Sequence, residues 1–267
     1  LVRSNLQNNI FSQLFVEQNI VSLASVDSTN SWLKELLSKS EPVAEGTVIM
    51  AEEQFAGRGQ VNSTWVSEPG KNLTISILLK PVFLPVDQQF LLNQTVCLAL
   101  NDVLRKYFDN TATIKWPNDC YVGHRKIGGL LIENMIQGDR IRHSVIGIGL
   151  NINQVVYPDE LKNVTSFRKI LHRDYDLREI LGEICIALEG RYLQLKGGHT
   201  TEINEQYLER LYKRNVLSAF RTAEGTVEGR ILGISRYGLL EVEIAGEIRH
   251  FGLKEIEFIQ DMTESHP

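Results

Sequence analysis

The sequence predicts an α+β fold: a large domain of strands and helices over residues 1–214, a small β-barrel over 215–260, and a polar tail over 261–267. Three observations lead there. Apolar residues at helical spacing alternate with short apolar runs through the first 214 residues. Residues 112–150 read as four successive strands. Near Asn215 the character changes to five short strands separated by glycines, a pattern typical of small barrels.

Taken in order, residues 8–18 predict a short amphipathic helix with Ile10, Phe11, Leu14 and Phe15 on one face. Residues 21–26 are a short apolar strand. Trp32, Leu33, Leu36 and Leu37 then mark a helix, for which Asp27 or Ser28 is the natural cap. Residues 46–52 read as a strand, and Glu53–Gly70 as a polar, glycine-containing loop. Residues 73–80 alternate as a strand that ends at Pro81. A long helix over 87–107 turns Leu92, Val96, Leu100, Val103, Leu104 and Tyr107 inward. Strands follow near 112–116, 119–123, 127–137 and 141–150, the last two joined by a Gln137-Gly138-Asp139-Arg140 turn. Helices over 176–196 and 200–214 complete the large domain. In the barrel, Gly225, Gly229, Gly233, Gly238 and Gly246 are expected at turns. A module of about 45 residues is marginal alone, so it should pack on the large domain.

Bulk properties narrow the function. A net charge of -5 offers no basic stripe for a nucleic acid. Cys97, Cys120 and Cys185 lack metal-ligand spacing and a disulfide framework, which fits a reducing cytoplasm. No basic stretch followed by an apolar core marks a signal peptide, and no apolar run reaches the roughly 20 residues needed to span a bilayer.

Four segments carry candidate chemistry. Lys115-Trp116-Pro117-Asn118-Asp119 is followed, seven residues after the Asp, by Lys126-Ile127-Gly128-Gly129. Two lysines supply positive charge, the indole a flat face, and the glycines close backbone approach, which suits a nucleotide phosphate beside a carboxylate. The same residues also make an ordinary Pro-Asn-Asp turn. Gln54-Phe55-Ala56-Gly57-Arg58-Gly59-Gln60 sets a guanidinium fork between glycines and leads to Trp65. It is neither a Walker loop nor a dinucleotide fingerprint, and a plain surface loop is its alternative. Gly147-Ile148-Gly149-Leu150-Asn151 ends a strand where a ligand or another backbone comes close. Ser28-Thr29-Asn30 can cap a helix or face a polar ring.

In this order the four segments resemble the biotin–protein ligases, which attach biotin to a lysine of biotin-dependent carboxylases. The resemblance spans about residues 10–259, and its most specific part is the Lys-Trp-Pro-Asn-Asp run with Arg125-Lys126 after it. It implies a mixed β-sheet with flanking helices, of the class II synthetase/biotin ligase type, followed by an SH3-like barrel closing on Lys254-Glu255-Ile256. Family members with repressor activity carry a DNA-binding domain at the N-terminus; the residues before Ser28 are too few for one, so a short form is expected.

The resemblance also assigns roles. Biotin is expected at Ser28, Thr29, Asn30, Gln54, Gly57, Arg58, Gly59, Gln60, Lys126, Gly129 and Gly147, with Leu130 and Ile132 lining an apolar slot. ATP is expected at Arg58, Gln60, Trp65, Lys115, Asn118 and Asn151. Lys126, Arg58 and Asp119 are the expected catalytic residues, Asp119 either orienting the carrier amine and taking its proton or only capping its turn. No metal ligand is assigned to protein side chains, although Mg²⁺ is expected with ATP. The partner implied is a biotin carboxyl carrier domain, with no nucleic acid or membrane. A homodimer stays open, through an edge strand such as 141–150. Gln60 departs from the family, which often has a basic residue there. The alternatives are a lipoate–protein ligase of related fold and a non-catalytic biotin or nucleotide sensor.

Overall fold

The computed structural model describes residues 15–16, 18–39, 42–60, 63–161 and 163–259. The helix expected over 8–18 falls mainly on residues outside that set, as does the polar tail.

Seven strands form one sheet: β1 (Ile20–Val26), β2 (Val48–Gln54), β3 (Leu73–Leu79), β4 (Ala112–Lys115), β5 (Asp119–Val122), β6 (Arg125–Gln137) and β7 (Arg140–Leu150), in the order β1-β2-β3-β7-β6-β5-β4. The sheet is mixed, as expected. β1 and β2 are parallel, and every other neighbouring pair is antiparallel. A parallel pair needs a crossover, and α1 (Thr29–Ser38) provides it.

Two expectations about strands change. Residues 73–79 do not alternate between core and solvent; β3 is buried along its whole length, because both faces of a central strand are covered. The strand over 141–150 is no edge either. β7 lies between β3 and β6. The outer strands are β1 and β4, and β4 is itself covered: Ile114 N–H donates to Arg210 O at 2.8 Å, and Tyr212 N–H donates to Ile114 O at 2.8 Å. That pairing also explains why the second predicted helix stops early. α5 covers Thr200–Glu209 rather than 200–214, since the backbone after it hydrogen-bonds to the sheet edge.

α2 (Gln89–Phe108), α4 (Leu177–Lys196) and α5 pack on one face of the sheet. Leu73, Ile75, Ile77 and Leu79 of β3 and Ile146, Ile148 and Leu150 of β7 meet them in the main core. A short helix unforeseen in the sequence, α3 (Phe167–Leu171), starts at Ser166, whose hydroxyl accepts from Lys169 N–H at 3.1 Å. Phe167 is fully buried against Tyr107, Phe108 and Tyr175. The other sheet face is only partly covered. α1 lays Leu33 on Ile49, Leu78 and Val145, leaving the rest open.

β8 (Leu217–Thr222), β9 (Gly225–Ile234), β10 (Leu240–Ile244), β11 (Glu247–Phe251) and β12 (Ile256–Phe258) form a second, antiparallel sheet in the order β11-β10-β9-β8-β12. This is consistent with the small β domain expected. Gly225, Gly238 and Gly246 take positive φ at turns. Gly229 and Gly233 instead lie inside β9, and a Cβ at Gly229 would come within 2.8 Å of Glu243 O on β10. Phe220, Ile231, Leu240, Val242 and Ile256 are buried in the same core as the large sheet. Among the described residues no helix is long and apolar enough to cross a membrane. All three cysteines are buried and stand outside any disulfide among the described residues.

One charged cluster ties the helices together. Asp102 of α2 accepts from Arg191 Nε at 2.7 Å and NH2 at 3.0 Å, and from Arg210 NH1 at 2.5 Å. Burial pushes the Asp102 carboxyl up, but hydrogen bonds and charge from the two arginines outweigh it and hold its pKa below the usual aspartate value. A folded pKa below the unfolded one stabilises the native state above about pH 4, and that stabilisation fades as pH falls through the folded pKa. Asp102→Asn should therefore cost about 1–2 kcal/mol near pH 7, less than a fully buried pair because the cluster is partly solvated. Chemical denaturation across pH should show the gap to wild type narrowing below about pH 4.

Candidate functional site

The site begins where the open sheet face changes composition. Strand register sets residues in rows across the sheet. Leu78, Val145 and Glu133 share one row, Ser76, Gly147 and Leu131 the next, and Thr74, Gly149, Gly129 and Asp119 the third. The first row lies by α1. In the next two, Leu131 apart, hydroxyls, glycines and a carboxylate take the positions, a surface poorly suited to burying a helix. A cavity of about 690 Å³ stands over it, within the range for small-molecule ligands.

At the α1 end the lining is a hydrogen-bonded polar network. Ser28 caps the helix, its hydroxyl accepting from Ser31 N–H at 3.5 Å. Gln54 Oε1 accepts from Thr29 N–H at 2.9 Å. Ser76 Oγ reaches Thr29 Oγ1 at 2.7 Å and Asn30 Oδ1 at 2.5 Å. Gly147 is required here, because a Cβ would lie 2.6 Å from Asn30 Oδ1. Ser28 thus caps the helix, and the three residues Ser28, Thr29 and Asn30 line the cavity.

The Lys115–Asp119 run forms the β4–β5 hairpin. Its turn is firmly anchored. Pro117 O accepts from Asn93 Nδ2 at 2.7 Å and Tyr207 Oη at 3.1 Å, while Trp116 Nε1 donates to Gly238 O at 2.9 Å. Asn118 Nδ2 bonds Leu130 O. Lys115 Nζ donates to Tyr121 Oη at 3.1 Å and lies 5.0 Å from the Tyr121 and Phe258 ring centroids. Burial pushes its ammonium pKa down. Lys126 Nζ pairs with Asp119 Oδ1 at 2.6 Å.

The loop after β2 covers the glycine floor. Gly57 O accepts from Trp65 N–H at 3.0 Å, and Gly59 N–H donates to Ser63 O at 2.7 Å, which folds the loop back on itself. Trp65 then lies on Gly149, where a Cβ would meet its ring at 2.4 Å. The buried Trp65 Nε1 has no acceptor among the described residues. Arg58 reaches Glu133, with NH2 to Oε2 at 3.1 Å. Phe220, Leu240 and Phe258 of the second sheet, with Leu253, Lys254 and Glu257, make the opposite wall.

Of the residues expected at a site, Ser28, Thr29, Asn30, Gln54, Arg58, Gly59, Gln60, Trp65, Lys115, Asn118, Asp119, Lys126, Gly129, Leu130 and Gly147 line this cavity. Arg58 and Lys126 therefore share it. Three do not line it. Gly57 is buried in the loop hinge, where a Cβ would come 2.3 Å from Trp65 O. Ile132 packs against the main core, because it lies on the helical face of β6. Asn151 is buried behind the floor: its N–H donates to Ile127 O at 2.8 Å and its Nδ2 to Thr165 O at 3.1 Å. Thr165 N–H in turn donates to Lys126 O at 2.9 Å, so Asn151 braces the strand that carries the lysine. The sequence reading missed Thr74, Ser76 and Glu133. Hydroxyls at alternate positions of an otherwise aliphatic strand were the available signal for the first two.

A model of the biotin/lipoate A/B protein ligase family matches residues 22–151. The bifunctional ligase/repressor BirA of Bacillus spizizenii is 29% identical over 259 residues, covering 96% of this chain and 77% of that one. The chain carries a domain of this family over residues 22–151. The biotin–[acetyl-CoA-carboxylase] ligase of Paracoccus denitrificans is 34% identical over 134 residues, 49% of this chain and 53% of that protein. Among solved structures, the biotin protein ligase of Aquifex aeolicus in complex with biotin and ATP matches with a TM-score of 0.76 and 25% identity, over 91% of this chain and 100% of that one. The family match ends at Asn151; the structural match extends the likeness through most of the chain.

The Trp65–Gly149 contact is testable without any ligand. Gly149→Ala should push the indole off the floor. Tryptophan emission should shift to the red and acrylamide quenching rise, while far-ultraviolet circular dichroism stays as in wild type.

Proposed function

We infer that this chain is a biotin–protein ligase, which joins biotin to ATP as biotinyl-5'-AMP and passes the biotinyl group to a lysine of a biotin carboxyl carrier domain. One observation supports it above the rest: Arg58 and Lys126 line a single cavity over a glycine-floored sheet face.

Biotin's carboxylate is itself a nucleophile, so the first step needs no covalent help from the protein. It needs two anions brought together. Unit charges 4 Å apart repel by about 4 kcal/mol at an effective dielectric of 20. Arg58, Lys126 and Lys115 can offset that repulsion, and catalysis is then positioning and charge stabilisation. Ser28, Thr29, Asn30 and Gln54 supply hydroxyl and amide groups suited to a ureido ring, which has two donors and one acceptor. The nucleotide reading places the triphosphate near Lys115 and Asn118, beside Trp65 and the second-sheet wall. ATP enters as its Mg²⁺ complex. Phosphate oxygens and water can carry most of such an ion's coordination, with one or two carboxylates completing it.

In the second step the carrier amine attacks the acyl carbon and AMP leaves. Asp119, held 2.6 Å from Lys126, is the carboxylate nearest to that lysine and the proposed group to orient the amine. The matching family is also named for lipoate, and lipoic acid in place of biotin is the control. We place the protein in a reducing cytoplasm, with neither nucleic acid nor membrane in its reaction. A homodimer paired edge to edge would use β1 of the large sheet or an outer strand of the second sheet, since β4 is covered and β7 is interior.

Incubation with MgATP, biotin and a carboxyl carrier domain should add one biotinyl group to the carrier, read by mass. Lipoyl transfer instead, or tight biotin binding with no transfer, overturns the assignment. Lys126→Ala should lower pyrophosphate release by at least about 100-fold, the scale of losing a main charge stabiliser, with an unchanged unfolding midpoint; near-normal release rejects its role. Gln60 lines the cavity without a charge. Gln60→Arg should slow biotinyl-AMP dissociation about 10-fold, consistent with one added charge-assisted hydrogen bond. Equal off-rates for the two proteins would show that position 60 does not retain the intermediate.

A further inference from the structure

Glu133 belongs to none of the motifs that mark the site, yet it joins two of them. Its carboxylate faces Arg58 end-on, with NH1 3.4 Å from Oε1 and NH2 3.1 Å from Oε2. Oε1 also accepts from Lys34 Nζ at 2.6 Å, and Oε2 from Asn30 Nδ2 at 2.8 Å. The glycine loop and α1 are thereby held by one half-buried carboxylate on β6.

We propose that Glu133 is a positioning residue for adenylation, which presents the Arg58 guanidinium to the reacting carboxylate and fixes which face of the Asn30 amide the ligand meets.

Donor counting supports both parts. A guanidinium has five N–H donors. Glu133 engages one on each terminal nitrogen, so three remain for an anion while the plane of the fork is set. Asn30 Nδ2 has two donors, and both are used, on Glu133 Oε2 and on Leu131 O at 3.1 Å. Asn30 therefore offers the cavity its Oδ1, which already accepts from Ser76 Oγ and has one acceptor direction left. A ligand must bring an N–H to that point. Without Glu133 the amide could flip and offer N–H instead, which would reject a ring donor. Burial pushes the Glu133 carboxyl up, but hydrogen bonds from Lys34 and Asn30 and the charge of Arg58 outweigh it and hold its pKa below the usual value, so the anionic clasp persists at neutral pH. Lys34 is the counter-charge that lets Glu133 stay anionic when Arg58 turns partly to substrate.

This inference rests on the ligase reading, and its test keeps the two apart. Wild-type protein is assayed first for pyrophosphate release with biotin and MgATP; absence of release there sinks the ligase reading, and biotin affinity by calorimetry then carries the test. Glu133→Gln should lower kcat/KM for biotin at least about 30-fold, and Arg58→Ala should do at least as much. The double variant should fall well short of the product of the two losses, because the part of Glu133's effect that acts through Arg58 is gone once Arg58 is, and only the part through Asn30 remains. A Glu133→Gln protein with wild-type kcat/KM, or a double variant showing the product of the two losses, overturns the proposal. A lowered unfolding midpoint with unchanged kinetics, or unchanged biotin affinity where calorimetry carries the test, assigns Glu133 a purely structural tie and overturns it equally.

Discussion

The structure is organised around keeping two cations over a bare stretch of β-sheet. A free guanidinium and a free ammonium a short way apart would repel each other and swing into solvent. Here each has its own carboxylate: Glu133 for Arg58 and Asp119 for Lys126. The pairs fix both cations at the cavity and lower the cost of holding them together. An arriving anion meets groups already oriented, which is the economical way to stabilise charge as it develops. The glycines serve the same end. Side chains at 147 or 149 would occupy the space taken by Asn30 and Trp65.

Much of this was legible in the residues. The Lys115–Asp119 run, the Gly57–Gly59 loop and Lys126 announced a charged, backbone-rich site, and the geometry brings them to one cavity. Helices α2 and α4 and all seven strands of the main sheet followed from apolar spacing. Other features were hidden for definite reasons. Whether strand 141–150 lies at the edge or the centre depends on its partners, which local pattern does not encode. The end of α5 was misread because 200–214 has helical spacing throughout, whereas β4 offers residues 210–212 a better set of hydrogen bonds. Asn151 reads as a ligand group in the sequence because a strand-end asparagine after glycines looks the same whether it faces the cavity or the layer behind it. Glu133 passed unnoticed inside an apolar strand, where a single charge looks like a solvated position.

The two sheets also share more than a linker. Phe220, Ile231 and Ile256 lie in the same buried cluster as the residues beneath the large sheet, and Phe258 stands beside Lys115. Apolar surface buried across the junction stabilises both units, and the cavity takes one wall from each. The boundary near Asn215, visible as a change of strand length and glycine content, is a change of architecture more than a break in packing.

The bond from the Trp116 indole to the Gly238 carbonyl gives this arrangement an engineering consequence. The hairpin carrying Lys115 and Asn118 is bolted at its tip to the chain's last fifty residues, across more than a hundred positions of sequence. Trimming the molecule back to its first sheet would not yield a leaner catalyst. It would unfasten the tip of that hairpin, open one side of the cleft to water, and leave Lys115 without the aromatic ring of Phe258 that now shelters it.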